Sequence, residues 1–139
     1  MRDILANGCG ELGLELDSTQ LSQLQAYAAL LKEWNQKINL TAITDDKGIA
    51  VKHFLDSLSA LCTNHVKGRV IDVGTGAGFP GLVLKIAKPD ISLTLLDSLN
   101  KRINFLKAVS EELGIPDIEF VHSRAEDGGQ NRTYREKFD

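Results

Sequence analysis

An apolar stretch that runs directly into alternating glycines, at residues 70–81, constrains the fold of this chain more than any other feature. Its sequence is Val-Ile-Asp-Val-Gly-Thr-Gly-Ala-Gly-Phe-Pro-Gly, which predicts a short strand, a loop and the start of a helix. Because glycine has no Cβ, Gly74, Gly76 and Gly78 predict a loop of unusual dihedral angles whose bare backbone lies against a ligand. The helix start is expected to add unpaired N–H groups that favour anionic or polar ligand groups.

A second apolar stretch, residues 92–97, ends in the carboxylate of Asp97. It follows the glycines by roughly 20 residues, where nucleotide-binding folds place the acid that holds a ribose diol. An acid at this position also suits the N-terminus of a helix beginning near Asn100, so Asp97 is informative only together with the glycine loop. The loop and the acid together predict a site for an adenosine-containing cofactor.

The glycine spacing separates two kinds of cofactor. The dinucleotide pattern has glycines at +2 and +5 from the first glycine after the strand, but the +5 position here is Phe79. Gly76, Gly78 and Gly81 have the spacing of that pattern, but they begin two residues too far from the end of the strand. The form Asp-x-Gly-x-Gly-x-Gly at residues 72–78 is typical of S-adenosylmethionine sites, where the loop accommodates an amino-acid tail and a sulfonium. A nicotinamide cofactor and a purely structural glycine turn stay open as alternatives.

The chain divides at about residue 66 into two parts with different patterns. Residues 1–66 are predicted to be all-helical, with Asp17 as an N-cap and a further helical pattern from about residue 47 to 62. Residues 67–139 alternate strands with helices, which predicts parallel βαβ units. The strands are expected at 69–73, 93–97 and 118–122, and the helices at about 80–87 and 100–113. A buried helical stripe is predicted from Leu21, Leu24, Ala28, Leu31, Trp34 and Ile38.

Composition narrows the classes of protein to which the chain can belong. Its 139 residues and 42% hydrophobic content suffice for one domain with a core. The net charge of −3 gives no global nucleic-acid signal, although it is compatible with a local basic face. Polar residues interrupt the N-terminus and no apolar run spans a membrane, so we expect a cytoplasmic protein without a membrane partner. Cys9 and Cys62 have no metal-ligand spacing, which predicts free thiols and no metal.

The predicted sheet has too few strands for a doubly wound fold. Three strands in the usual order leave the glycine-loop strand at an edge, although this strand normally has neighbours on both sides. An open edge favours pairing with another chain. We therefore expect a chain cut from a larger domain, and self-association through the exposed strand.

One helix face carries three polar groups, His53, Asp56 and Ser57, at positions i, i+3 and i+4. A hydrolase triad is rejected, because groups on one helical face cannot adopt the relay geometry and no nucleophile elbow is present. The two interpretations that stay open are a wall of the substrate pocket and a satisfied histidine between helix and sheet.

Four motifs together resemble one family, the bacterial small-subunit ribosomal RNA guanine-N7 methyltransferases, also called glucose-inhibited division protein B. They are Trp-Asn-Gln-Lys-Ile-Asn-Leu-Thr at 34–41, His-Phe-Leu-Asp-Ser-Leu at 53–58, Val-Gly-Thr-Gly-Ala-Gly-Phe-Pro-Gly at 73–81 and Leu-Asp-Ser-Leu-Asn-Lys-Arg at 96–102. The resemblance covers nearly the whole chain. It implies an α/β, Rossmann-like S-adenosylmethionine-dependent methyltransferase fold, here only its first three parallel strands, preceded by a helical N-terminal part.

The resemblance also implies S-adenosylmethionine as cofactor, ribosomal RNA or the small ribosomal subunit as partner, and methyl transfer to N7 of a guanine. The residues that it places against the cofactor are Gly74, Gly76, Gly78, Phe79, Asp97, Ser98, Leu99, Ala125 and Glu126. Those that it places on the substrate side are Asn39, His53, Asp56 and Ser57. The family continues beyond the part that matches this chain, with an arginine that helps hold the cofactor. A nicotinamide-dependent oxidoreductase and a non-catalytic, self-associating fragment are the alternative functions.

Overall fold

Helices precede a small parallel sheet in the computed structural model, which describes residues 1–63 and 66–122. The elements in chain order are α1 (Arg2–Glu11), α2 (Ser18–Asn35), α3 (Asp46–Gly48), a π-helical segment (Ile49–Leu55), α4 (Asp56–Leu58), a 3₁₀ helix (Ser59–Thr63), β1 (Arg69–Val73), α5 (Gly81–Ala87), β2 (Ser92–Asp97), α6 (Asn100–Leu113) and β3 (Ile118–His122). The predicted partial Rossmann-like α/β fold with a helical first part is confirmed.

The three strands are parallel and follow the order β1-β2-β3. Asp72 of β1 is in register with Leu95 of β2, which is in register with Phe120 of β3. The carboxyl ends of the strands, including Val73 and Asp97, therefore lie at one edge of the sheet. Within the described ranges β1 has one strand neighbour, so the expectation that the glycine-loop strand lies at an edge is confirmed.

Helix α2 begins where the sequence predicts. Asp17 accepts a hydrogen bond from the Gln20 backbone at 2.8 Å, and the Gln20 side chain accepts one from the Asp17 backbone at 2.8 Å. This reciprocal capping box satisfies two of the N–H groups that a helix start leaves unpaired. The helix ends at Asn35, so Ile38, the last residue of the predicted stripe, lies beyond the helix, although it still packs against the core.

The helical pattern predicted from residue 47 to 62 is present but is not one regular α-helix. It consists of α3, the π-helical segment, α4 and the 3₁₀ helix in direct succession, over residues 46–63. π-Helical turns are rare and occur frequently at functional sites. The turn here contains His53, one of the predicted substrate-side residues.

One hydrophobic core joins the helical first part to the sheet. Its fully buried side chains come from both, and they include Leu24, Tyr27, Leu31, Phe54, Leu58, Leu82, Leu95 and Phe105. Trp34 is half-buried and meets the Phe105 ring edge-on at a centroid distance of 5.6 Å, which confirms its predicted packing role. The division of the chain near residue 66 into two parts stays a prediction.

Side chains of α2 also cover the ends of two helices beside the sheet. Gln20 Nε2 donates to the carbonyl oxygens of Ile86 and Ala87 at the end of α5, at 3.1 Å each. Gln23 Nε2 donates to the carbonyl oxygen of Leu113 at the end of α6, at 3.2 Å. Because the last carbonyl groups of a helix have no partner inside it, these bonds hold α2 against both α5 and α6.

Candidate functional site

The glycine loop leaves the carboxyl end of β1 in a conformation that side chains rarely allow. The φ angles of Gly74, Gly76 and Gly78 are +71°, +60° and +100°. The N–H groups of Gly74 and Thr75 both donate to the Leu96 carbonyl, at 2.8 and 3.2 Å. These bonds attach the start of the loop to β2. The predicted glycine loop with unusual dihedral angles is confirmed.

The three glycines differ in what surrounds them. A Cβ built on Gly74 or Gly76 would meet no atom of the described residues within 4 Å. A Cβ on Gly78 would collide with the Tyr27 hydroxyl and lie 2.9 Å from a Leu106 methyl. Gly74 and Gly76 therefore offer the open face where a ligand fits against the backbone, whereas Gly78 is required for packing.

Asp72, to which the sequence analysis assigned no role, joins the two ends of the loop. Its Oδ2 accepts hydrogen bonds from the Thr75 hydroxyl at 2.8 Å and from the Gly81 N–H at 2.9 Å. Burial raises the pKa of this carboxyl group, and the two hydrogen bonds partly oppose that effect. A signal was present, since Asp72 is the acid of the Asp-x-Gly-x-Gly-x-Gly motif.

The expectation that the helix start offers unpaired N–H groups is wrong for the first two residues of α5. The Gly81 N–H donates to Asp72, and the Leu82 N–H donates to the Gly78 carbonyl at 2.8 Å. The reason is that an aspartate at the end of β1 reaches across the loop and takes the donor. The open backbone faces of Gly74 and Gly76, instead of the helix start, provide room for a ligand.

Asp97 fastens the loop from the neighbouring strand. Its Oδ2 accepts a hydrogen bond from the Gly76 N–H at 2.8 Å, and its Oδ1 accepts one from the Leu99 N–H at 2.9 Å. Arg102 Nη1 lies 3.5 Å from Oδ1. The residue is only 1% exposed. The helix-start interpretation is wrong for Asp97, because α6 has Leu99 at its N-cap and no side-chain capping bond. Asp97 instead holds the segment before α6, and the same carboxylate closes the loop predicted to bind the cofactor.

Two apolar side chains stand exposed at this edge of the sheet. Leu99 is 49% exposed and Val73 is 42% exposed, and Ser98 beside Leu99 is exposed as well. Isolated exposed apolar residues are common, but Val73 is the last residue of β1 and Leu99 lies two residues after the end of the adjacent strand β2. Such an apolar border suits the flat face of a nucleobase.

Tyr27 of α2 packs against the glycine loop, although it was absent from the buried helical stripe that the sequence predicted. Its fully buried hydroxyl donates to the Ala77 carbonyl, and its ring stacks on Phe79 at a centroid distance of 5.6 Å. Burial, and secondarily the charge of Asp72, raises the Tyr27 pKa well above its ordinary value. The helical spacing from Leu24 and Leu31 was the signal that could have identified it.

A cavity of about 290 Å³ lies between the helical part and the glycine loop. It is lined by Lys52, His53, Asp56, Ser57, Ala60, Phe79 and Pro80. The His53 ring stacks on the Phe79 ring with centroids 4.4 Å apart and planes 10° apart. Three of the four predicted substrate-side residues thus share one cavity with Phe79, which is a predicted cofactor residue.

Asn39, the fourth predicted substrate-side residue, is exposed in the loop between α2 and α3 and is not part of this lining. The loop is held at its start by Asn35 Oδ1, which accepts hydrogen bonds from the N–H groups of Leu40 at 2.8 Å and Thr41 at 3.0 Å. These bonds place Thr41 beside His53. The role of Asn39 stays a prediction.

Ser57 and His53 do not form a nucleophilic pair. The Ser57 hydroxyl donates to the backbone carbonyl of His53 at 2.6 Å, a bond within the helix. The His53 ring instead lies 2.7 Å from the Thr41 hydroxyl through Nε2. Burial lowers the His53 pKa, although the charge of Asp56 acts in the opposite direction. This arrangement confirms that the three residues do not form a hydrolase triad, and it favours a neutral imidazole.

Two predicted cofactor residues, Ala125 and Glu126, lie outside the described residues. Across the ranges 1–63 and 66–122, the helices are all too short or too polar to cross a bilayer.

The sequence of this chain is similar to the sequences of proteins from one family. The family model GidB, described as rRNA small subunit methyltransferase G, matches residues 20–139. Curated proteins named ribosomal RNA small subunit methyltransferase G are similar to nearly the whole chain. The protein from Alkaliphilus metalliredigens is 57% identical over 138 residues, which are 98% of this chain and 58% of that protein.

Two further relatives with the same name agree. The protein from Alkaliphilus oremlandii is 55% identical over 141 residues, covering 100% of this chain and 59% of the relative. The protein from Clostridium perfringens is 50% identical over 139 residues, covering 99% of this chain and 58% of the relative. The chain thus spans less than two thirds of the length of these relatives. The match of the family model over most of the chain nevertheless confirms the predicted family: the chain belongs to the rRNA small subunit methyltransferase G family.

Proposed function

We propose that this protein transfers a methyl group from S-adenosylmethionine to N7 of a guanine in small-subunit ribosomal RNA. The observation that carries the proposal is the junction of the two parts of the site. Phe79 belongs to the glycine loop and also lines the cavity that contains His53. A donor on the open face of Gly74 and Gly76 and an acceptor base in the cavity would therefore be neighbours.

The residues at the carboxyl edge of the sheet fit the proposed cofactor. Gly74 and Gly76 leave room for its backbone-contacting part, and the exposed Leu99 and Val73 side chains suit an adenine ring. Asp97 is the acid suited to ribose hydroxyl groups, since each of its oxygens accepts one hydrogen bond here and can accept another, and because it is buried, that contact requires neighbouring groups to move aside. When bound, S-adenosylmethionine supplies an electrophilic methyl group on a sulfonium.

The chemistry of guanine N7, the proposed target atom, determines what the protein must contribute to catalysis. Guanine N7 carries an in-plane lone pair, so no proton has to leave before the attack and a general base is unnecessary. The contribution of the chain is then to align the base and to stabilise charge at its edge. The neutral His53 ring is the candidate donor to guanine O6, and Asn39, exposed on the preceding loop, is the second candidate.

Two measurements test the proposal. Isothermal calorimetry with S-adenosylmethionine, and separately with NADH, tests the cofactor. Mass spectrometry of ribosomal RNA after incubation with small subunits lacking the modification tests the product. The full-length relative from Alkaliphilus metalliredigens serves as the control for both measurements.

We expect binding of S-adenosylmethionine but not of NADH, and a new methyl group on a guanine N7. Binding of NADH alone would support the oxidoreductase alternative and overturn the proposal. Binding without methylation, under conditions in which the relative methylates the RNA, would leave the cofactor assignment standing and overturn transfer by this chain. Cytoplasmic location stays a prediction.

A further inference from the structure

The Thr41 hydroxyl has two polar neighbours that together define its hydrogen bonding. It accepts a bond from the Ile43 N–H at 3.0 Å and lies 2.7 Å from His53 Nε2. A hydroxyl group has one proton to donate. If Nε2 carried a proton, the Thr41 proton would have no acceptor among the residues that the structure describes. Both bonds are satisfied when Thr41 donates to Nε2, which puts the proton of a neutral His53 on Nδ1.

The Thr41 hydroxyl is held in this position from the backbone side. Asn35 at the end of α2 accepts the N–H groups of Leu40 and Thr41, so the loop cannot move away from His53 without losing both bonds. On its face, the His53 ring is held by the stack on Phe79. The ring is thus fixed at one nitrogen and at one face.

The other ring nitrogen of His53, Nδ1, is not enclosed by the protein. Nδ1 has no hydrogen bond to any residue within the described part of the chain, yet that part contains no buried side-chain nitrogen or oxygen without a partner. Nδ1 is therefore accessible on a ring that lines the cavity. The charged side chains in the same lining are Lys52 and Asp56. Asp56 favours the protonated ring, but burial outweighs it.

We infer that Thr41 is a positioning residue that locks His53 in the tautomer with an Nδ1–H donor directed at the cavity, so that the cavity selects a purine with an acceptor at position 6. Guanine presents the acceptors N7 and O6 on its Hoogsteen edge, whereas adenine presents N7 and an amino donor. A donor at Nδ1 placed against position 6 bonds guanine O6, is opposed by the adenine amino group, and leaves N7 free for methyl transfer. This extension to the base rests on the proposed function, while the tautomer itself does not.

The test is the tautomer of His53 in the chain without ligand, measured by ¹⁵N side-chain NMR. The His53 resonances are assigned by their absence in His53→Gln. We expect a protonated Nδ1 and an unprotonated Nε2 in the wild type and in Thr41→Ser, which keeps the hydroxyl. Thr41→Val should give a mixture of tautomers, whereas Thr44→Val, a change at an exposed threonine of the same loop, should change nothing. A wild-type proton on Nε2, or an unchanged tautomer in Thr41→Val, overturns the inference.

The direction of the His53 pKa gives a second readout. A bond to the neutral ring disfavours protonation, so its loss in Thr41→Val should raise the pKa. A lowered pKa in that variant would mean that Thr41 accepts a hydrogen bond from the Nε2–H group, which contradicts the inference. The amide spectrum of each variant establishes that it is folded.

The base preference is tested by titration with guanosine and adenosine monophosphate, following the Nδ1 resonance. We expect guanosine monophosphate to bind about fivefold more tightly, as one neutral hydrogen bond allows, and Thr41→Val to lose this preference. Equal binding of the two nucleotides overturns the base selection. Failure of the proposed function would appear separately, as absent S-adenosylmethionine binding with the tautomer intact.

Discussion

Asp97 has a structural role in addition to the binding role that we propose for it. It accepts the N–H groups of Gly76 and Leu99 while only 1% exposed, so its two oxygens hold the glycine loop and the approach to α6 at once. Asp72 does the same for the two ends of the loop. The shape of the open face at Gly74 and Gly76 therefore depends on two buried acids, of which only one was predicted from the sequence.

Replacing Asp97 is expected to weaken both cofactor binding and the fold. Asp97→Ala should reduce the free energy of S-adenosylmethionine binding by roughly 1–3 kcal/mol, because the ribose partner and the acceptor for Gly76 are lost together. Calorimetry below the melting temperature measures this loss. Asp97→Asn, which keeps one acceptor oxygen, should lose less, and Asp90→Ala, at an exposed acid after α5, should lose nothing. An unchanged dissociation constant in Asp97→Ala would refute the role.

Asp72 should make the stability of the chain depend on pH. Burial raises its pKa in the folded state, so its contribution is complete while the carboxyl group is protonated and is lost as the pH rises through the raised pKa. Asp72→Asn keeps an acceptor for Gly81 but cannot ionise. Urea unfolding from roughly pH 4 to pH 7 should therefore show the variant gaining stability relative to the wild type as the pH rises. A relative loss over that range would mean that folding lowers the pKa.

Packing between α2 and the glycine loop explains why the glycines are not equivalent. Tyr27 of α2 donates to Ala77 and stacks on Phe79, and its hydroxyl occupies the space that a side chain at Gly78 would need. The π-helical segment meets the same Phe79 ring through His53. Two helical elements of the first part thus hold the loop that follows the first strand.

Alanine at two glycines should separate stability from binding. Gly78→Ala combines a φ of +100° with a collision against Tyr27 and Leu106, and we expect a loss of roughly 2–4 kcal/mol in the free energy of unfolding. Gly74→Ala has a positive φ but open surroundings, so it should cost only about 1 kcal/mol of stability. Its main effect should be weaker S-adenosylmethionine binding, measured by calorimetry.

A double variant tests the cause of the Gly78 effect. Tyr27→Phe removes the hydroxyl that the new methyl group would strike, so Gly78→Ala should be less costly in the Tyr27→Phe background than alone. Chemical unfolding of the four proteins gives the coupling free energy. Strict additivity would show that backbone strain, instead of the collision, causes the loss.

The molecule as a whole combines one shared core with a sheet in which, among the described residues, β1 is an edge strand. The core draws buried side chains from α2, from the π-helical segment and from the helices around the sheet. In residues 1–63 and 66–122, β1 pairs with β2 alone, and β1 carries the exposed Val73 at the end next to the glycine loop. An edge strand with unpaired backbone groups favours association with a second copy.

Self-association through β1 is therefore expected. Light scattering after size-exclusion chromatography should detect a dimer or a larger species, and Val73→Lys should shift the population toward monomer because a charge opposes edge pairing. Val51→Lys is the matched control, since Val51 is also 42% exposed but lies on the π-helical segment. A wild-type monomer would contradict the expectation, and an equal effect of both lysines would place the interface elsewhere.

Local patterns were sufficient for the strands, for most of the helices and for the family. The capping box at Asp17, the strands that end at Val73 and Asp97, and the positive φ of the loop glycines all follow from residues within a few positions of one another. Propensity, periodicity and capping act over that range, so they can be read along the chain.

Apart from Asp72, whose partners Thr75 and Gly81 are close to it along the chain, the parts of the site that were not predicted from the sequence join distant segments. Tyr27 meets Ala77, Thr41 meets His53, and the ring of His53 lies on Phe79. Each contact depends on how helices pack on the sheet, and no local pattern encodes that packing. For the same reason, the motif could identify the loop glycines, but only the folded chain separates the two that face open space from the one that packs against α2.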